Sequence, residues 1–208
     1  MNSALTVNQS ALRGIDKDAA IAALYAGDTI TLKDALASMF VKGCVDSANV
    51  VAENVAGSID QFVTQMNQTA TSLGLTNTKF VDPSGINSNN ESTAFDMAII
   101  MAKVCENQEL LNLLGLAEYK LPAAKKRGEL ILYSRNMQLS SNSSNYNADV
   151  SASRMGYTTK SKMCIASMMK YTNCHVVAVI LKAEGTQFSD TKKVLEFGKI
   201  ATTEDVSN

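Results

Sequence analysis

Two stretches place a serine three residues ahead of a lysine, Ser167-Met-Met-Lys170 and Ser189-Asp-Thr-Lys192. On a helix this spacing puts both side chains on one face, where the lysine amine can take the hydroxyl proton and create a nucleophile for acyl transfer. Context argues against both pairs. Ser167 falls in the apolar run Met163 to Met169, which reads as a buried strand, and on a strand residues three apart point to opposite faces. Ser189 stands where a helix should begin, which makes it a cap first. With 20 serines and 15 lysines in 208 residues, one or two such spacings arise by chance.

The other chemically capable residues have structural readings. Ser47-Ala-Asn49 offers a hydroxyl and an amide, but at a helix start, where both serve the backbone. His175 is the only histidine; without an acidic neighbour it reads as a hydrogen-bonded residue at a strand end, not a general base. Asp82 is a turn residue and Asp96 a cap residue, so no carboxylate pair is available. Cys44, Cys105, Cys164 and Cys174 show no Cys-x-x-Cys spacing, so no metal or cofactor is expected and free, buried thiols are. Pairing of residues 163–170 with 175–182 about a turn near Thr172 sets Cys164 opposite residue 181, roughly seven residues from Cys174 and too far for a disulfide.

Composition bounds the remaining classes. The formal charge is -1 and 46% of residues are hydrophobic, which fits an ordinary globular chain and excludes disorder. The one basic run, Lys125-Lys-Arg127, is too short for a phosphate-backbone partner, so no nucleic-acid role is expected. No stretch approaches the roughly 20 apolar residues of a membrane-spanning helix, and Met1-Asn-Ser-Ala lacks the regions of a signal peptide.

The elements that must position any site can be read in order. Leu5-Thr-Val7 is a short strand, and Asp18 to Tyr25 suits one or two helical turns. Thr31 caps a buried helix with Leu32, Ala35, Leu36, Met39 and Phe40 on one face; Gly43-Cys-Val interrupts; Asp46 or Ser47 caps a second, tightly paired helix with Val50, Val51 and Val55, ending at Gly57. Ser58 and Gln61 open an amphipathic helix that closes at Gly74. Asp82 to Gly85 is a turn, and residues 87–91 a polar loop. Thr93 and Asp96 cap a helix to Cys105, and a short helix covers Gln108 to Leu114. Glu129 to Tyr133 is a strand, and the Ser- and Asn-rich stretch 140–153 is expected to be a mobile loop. Three strands follow, about 151–159, 163–170 and 175–182, as an antiparallel meander with helices on both faces. Ser189 caps a last helix with Val194, Leu195 and Phe197 inward, ending near Gly198, with 201–208 frayed.

Gly156-Tyr-Thr-Thr-Lys-Ser-Lys-Met-Cys-Ile-Ala-Ser167 resembles the Lys-Thr-Gly strand and its successor in serine-type D-Ala-D-Ala carboxypeptidases, the low-molecular-weight penicillin-binding proteins. Four further segments occur in that family's order over about Leu5 to Gly198: Ala26–Leu36, Leu73–Ile86, Ser92–Ala98 and Phe188–Gly198. The resemblance implies an α/β (α+β) fold of the beta-lactamase/transpeptidase type: an antiparallel sheet flanked by helices, a mainly helical subregion from about 16 to 126, and sheet plus C-terminal helix from about 127 to 200. It implies three motifs, Ser-x-x-Lys, Ser-x-Asn and Lys-Thr-Gly. The first belongs ahead of Leu5, so the nucleophile helix and its neighbouring strands are expected to be lacking. The register of Asp46 and Glu53 puts Gly43, Cys44 and Val45 at the second motif, without its hydroxyl or amide. Arg154, Met155 and Gly156 stand at the third, keeping the charge and the glycine but not the hydroxyl.

The function implied is a D-alanyl-D-alanine carboxypeptidase-like domain of peptidoglycan metabolism, inactive as this chain. The alternative is a non-catalytic peptide-binding or structural module. Implied partners are a peptidoglycan stem peptide or a beta-lactam, together with an upstream segment or self-association through an open strand edge; the family's location is outside the cytoplasmic membrane.

Overall fold

The computed structural model describes residues 1–171 and 174–205. They form two compact units: residues 1–92 with 118–133, and residues 93–117 with the described residues from 134 on.

The first unit is mainly helical. Strands β1 (Ala4–Thr6) and β2 (Thr29–Thr31) pair antiparallel. Asp18 to Tyr25, expected to be helical, is irregular instead. Its backbone is held from outside: the buried Asp46 carboxylate accepts the amides of Ala22 and Leu24 at 2.9–3.1 Å, and these bonds replace helical ones. Helix α1 (Leu32–Lys42) starts at Thr31, whose hydroxyl accepts the Asp34 amide. Its fully buried positions are Ala35, Ala37, Ser38 and Val41, while Leu32, Leu36, Met39 and Phe40 are only half-buried. Small residues face α2 (Val45–Ala56) because the two helices lie close, and the Ser38 hydroxyl donates to Ser47 Oγ at 2.8 Å between them. Cys44, not Asp46 or Ser47, occupies the α2 N-cap. Val50 and Val51 are buried there, but Val55 is 58% exposed. Helix α3 (Ile59–Ser72) is capped by Ser58 and ends before Gly74, whose φ of 74° few other residues tolerate. Strands β3 (Glu118–Leu121) and β4 (Leu130–Tyr133) form a hairpin of which only the second strand was legible.

The second unit is built on the meander. Strands β5 (Val150–Thr158), β6 (Lys162–Tyr171) and β7 (Cys174–Ala183) lie in the order β5-β6-β7, all antiparallel. The expected turn near Thr172 lies outside the described residues. Strand β6 is buried on both faces: Ile165, Ser167 and Met169 on one, Ala166 and Met168 on the other. Helices α4 (Ala94–Cys105) and α6 (Gln187–Asp205) pack on β6 and β7, and α5 (Gln108–Leu114) packs on β5. The stretch 140–153 is not one loop. Val150 to Ser153 belong to β5, and the rest forms hydrogen-bonded turns, with Asn147 N–H donating to Gln138 O at 3.1 Å.

Helix α6 departs most from expectation. It runs through Gly198 to Asp205, so residues 201–205 are helical, while 206–208 lie outside the described residues. Gly198 marks a close approach rather than a stop, because a Cβ there would overlap Val176 Cγ1 of β7. Ser189 lies inside the helix with its hydroxyl donating to Thr186 O. Leu195 is fully buried, but Val194 is 41% and Phe197 72% exposed, so the inward face is narrower than the apolar pattern implied. None of the four cysteines is in a disulfide: Cys44 and Cys105 are buried, Cys164 and Cys174 partly exposed rather than buried. His175 is exposed and makes no side-chain hydrogen bond to the described residues.

The turn around Asp82 carries a titratable lock. Burial alone would raise this carboxyl, but hydrogen bonds from Ser84, Asn90 and the backbone of Asn87 and Ser84 outweigh it and hold Asp82 below its ordinary value. A lowered folded-state value adds stability above the ordinary carboxylate range, and that stability is lost as pH falls through the lowered value. Urea titrations from neutral pH down to about pH 2 should show a steeper acid loss for the natural chain than for Asp82→Asn. Parallel curves would remove the lock.

Candidate functional site

The positions singled out by sequence lie in both units. In the first unit, Gly43, Cys44 and Val45 form the junction between α1 and α2. Gly43 takes a left-handed conformation at φ 80° and sends its amide to Met39 O and Ser38 O, ending α1. Cys44 and Val45 are 1% and 8% exposed. All three therefore serve the turn between two packed helices, and none presents a hydroxyl or amide side chain that could orient a substrate. The shifted reading, Ser47 with Asn49, fails on partners: Ser47 Oγ meets Ser38, and Asn49 Nδ2 donates to Ala11 O at 3.0 Å.

Asp46, directly after this junction, is the residue whose function sequence reasoning missed. It is 2% exposed and accepts four bonds from three backbone amides, Ala22, Leu24 and Ser47, at 2.8–3.1 Å. A carboxylate can be buried without a cation when enough donors surround it. The only sequence signal was an acid at a helix start, which is an ordinary first-turn residue.

In the second unit, Arg154, Met155 and Gly156 lie on β5 opposite Ala166, Ile165 and Cys164. Strand β5 has a neighbour on one side only, so among the described residues its other edge carries unpaired backbone groups. Met155 points inward and is 9% exposed; Arg154 is half-buried, and Gly156 is exposed. The Arg154 guanidinium donates to the Met155 carbonyl. A cation beside a bare glycine on an open strand edge can accept an extended peptide through backbone pairing and hold a carboxylate at its end.

Neither Ser-x-x-Lys pair is built for nucleophilic attack. Ser167 is 0% exposed on β6, bonded to Ser153 Oγ at 2.7 Å and donating to Gln138 Oε1 at 2.9 Å. Lys170, three residues on in the same strand, is exposed. Ser189 is tied to Thr186, as described. Asp82 and Asp96 keep their structural roles, Asp96 being the residue whose amide Thr93 caps. No cluster of three metal-ligating side chains occurs among the described residues, and no described helix is long and apolar enough to cross a membrane.

Comparison with known proteins gives the geometry its context. A family model described as D-alanyl-D-alanine carboxypeptidase, peptidase S11, matches residues 1–185. The chain is 28% identical over 178 residues to the D-alanyl-D-alanine carboxypeptidase DacF of Bacillus subtilis, covering 84% of this chain and 44% of that one. It is 27% identical over 185 residues to a D-alanyl-D-alanine endopeptidase of Escherichia coli, covering 82% of this chain and 56% of that one. The chain thus spans about half the length of the curated relatives it matches. Among solved structures, the Streptomyces K15 DD-transpeptidase superposes with a TM-score of 0.82 at 22% identity, over 95% of this chain and 79% of that one. A D-alanyl-D-alanine carboxypeptidase from Mycobacterium tuberculosis gives 0.79 at 18%, over 95% and 74%. Both structural likenesses speak for the fold.

Removing the Asp46 acceptor should be costly. Asp46→Ala strands the Ala22 and Leu24 amides, at about 1–3 kcal/mol for each buried unpaired group. Urea unfolding should register a total loss of about 3 kcal/mol or more, and less for Asp46→Asn, which keeps one acceptor oxygen. A loss under about 1 kcal/mol for Asp46→Ala would mean that water replaces the carboxylate.

Proposed function

The chain belongs to the D-alanyl-D-alanine carboxypeptidase family of serine peptidases, and from that premise we propose that its residues recognise a peptidoglycan stem peptide without performing acyl transfer themselves. The observation that carries this reading is the open edge of β5, with half-buried Arg154 beside exposed Gly156. An extended peptide adds to that edge through its backbone, and its terminal carboxylate takes the guanidinium in exchange for the local Met155 carbonyl. A beta-lactam, which also carries a carboxylate, is a second ligand of the same kind.

Catalysis needs more than recognition. Acyl transfer requires an activated hydroxyl, a base within hydrogen-bond reach and donors aimed at the developing oxyanion. The burial and bonding of Ser167, the helix-bound hydroxyl of Ser189 and the side chains at Gly43-Cys44-Val45 all argue against such a constellation made from these residues. Recognition without turnover is therefore the function favoured over hydrolysis, and over a purely structural role because the third motif position keeps its charge.

Titration of the chain with an N-acyl-D-Ala-D-Ala peptide should show weak binding, with a dissociation constant in the millimolar to high micromolar range. Arg154→Ala should weaken it at least tenfold, the equivalent of about 1.4 kcal/mol. Amidation of the peptide carboxylate should have the same effect, and no D-alanine should be released. Equal affinity in both proteins, or none in either, would favour the structural role.

A further inference from the structure

Strand β5 exchanges its faces part-way along. Val150 opposes Met169 and packs with it and with Leu195 of α6, whereas Ala152 opposes Met168 on the other side of the sheet. On a regular strand two such residues would share a face. The exchange is made by Ser151, an extra residue with no counterpart on β6, which forms a β-bulge. Everything downstream inherits it: Arg154 opposes Ala166 and Gly156 opposes Cys164, on the face away from α6. On an unbulged strand continuing from Val150, both would lie on the α6 side.

The bulge sets the Ser151 carbonyl against the end of α5. A Cβ on Gly115 would stand 2.7 Å from that oxygen. Even attractive carbon–oxygen contacts lie at about 3.3–3.6 Å, so a side chain there must part the two backbones by roughly 0.6 Å. Neither backbone yields freely, because Leu113 and Leu114 bury the last turn of α5 and Ala152 is fully buried beside the bulge. The conformation of Gly115 does not call for glycine. Its φ of −85° is right-handed and open to any residue, so the bare Cα answers to the bulge and not to the helix end.

We propose that Gly115 is a positioning residue for the β5 site: its bare Cα admits the bulge at Ser151, and the bulge carries Arg154 and Gly156 to the face and register in which they meet a peptide. The binding half of this rests on the recognition reading given above. Bulges recur beside functional sites because they re-aim side chains. A recognition site must be held to within about 0.5 Å, a tolerance that the displacement exceeds. Gly115 acts through β5 and touches no ligand.

Two readouts on the full chain separate placement from binding. Cross-strand nuclear Overhauser contacts between residues 154 and 166, and between 156 and 164, report the register with no peptide present. Titration with an N-acyl-D-Ala-D-Ala peptide reports binding. Gly115→Ala should lose those contacts while keeping the ones between Met168 and Val177 of the β6–β7 pair, and should lower the affinity at least tenfold. Deleting Ser151 in the same chain removes the obstructing carbonyl yet leaves Val150 and Ala152 with their partners, so it should restore both readouts. Intact contacts in Gly115→Ala, or altered contacts with unchanged affinity, would overturn the proposal. So would a Gly115→Ala chain that fails to fold and is not rescued by the deletion. A natural chain that binds no peptide would sink the recognition reading, and the register contacts would still decide whether Gly115 sets the face of Arg154.

Discussion

Strand β6 is buried on both faces, and every polar group it carries must be satisfied inside the protein. Ser167 sits at its centre, and its hydroxyl meets Ser153 Oγ on the neighbouring strand and Gln138 Oε1 on the turn before β5. Ser153 Oγ in turn accepts from Asn136 Nδ2 at 2.5 Å and reaches the Ala166 carbonyl at 3.1 Å. The four side chains are 0–3% exposed and fix one register, because a one-residue slip of β5 would separate the two hydroxyls and leave four buried groups without partners. The placing of Arg154, Met155 and Gly156 on the open edge follows from that register.

The same constraint argues against a catalytic reading of the Ser167-Met-Met-Lys170 spacing. Ser167, enclosed on a strand with two polar partners, has neither access nor a base beside it, although Lys170 follows three positions later. The junction at residues 43–45 is governed by helix packing in a similar way. Two helices held closely by Ala35, Ser38 and Ser47 need a tight reversal, and Gly43-Cys44-Val45 supplies a left-handed glycine followed by two side chains small enough to bury. Asp46 completes the arrangement by holding the backbone of 22–24 against α2, a task that a neutral side chain with one acceptor would do less well.

Periodicity and capping made most helices legible. Thr31, Ser58 and Thr93 each accept the amide three residues on, and α5 runs over the residues that its leucines marked. The meander was legible because β-branched and apolar runs too short for helices leave few alternatives. What sequence could not reveal depends on distant partners. Residues 18–25 carry helical propensity that the Asp46 carboxylate overrides, and β3 has too little apolar character to stand out without its pairing with β4. In α6 a glycine that looked like a terminator is a packing contact, and an apolar pattern that looked like one inward face divides between the sheet and solvent. Of the candidate site, the strand that carries Arg154, Met155 and Gly156 was legible, whereas the role of Asp46 appears only once two segments some 22 residues apart meet.

The proposed function is recognition of a peptide by these residues without covalent chemistry. It is tested most directly by intact-mass analysis of the folded chain after prolonged exposure to benzylpenicillin. The account predicts the unmodified mass throughout. A stoichiometric adduct mapped to any serine of this chain, Ser167 or Ser189 above all, would contradict it.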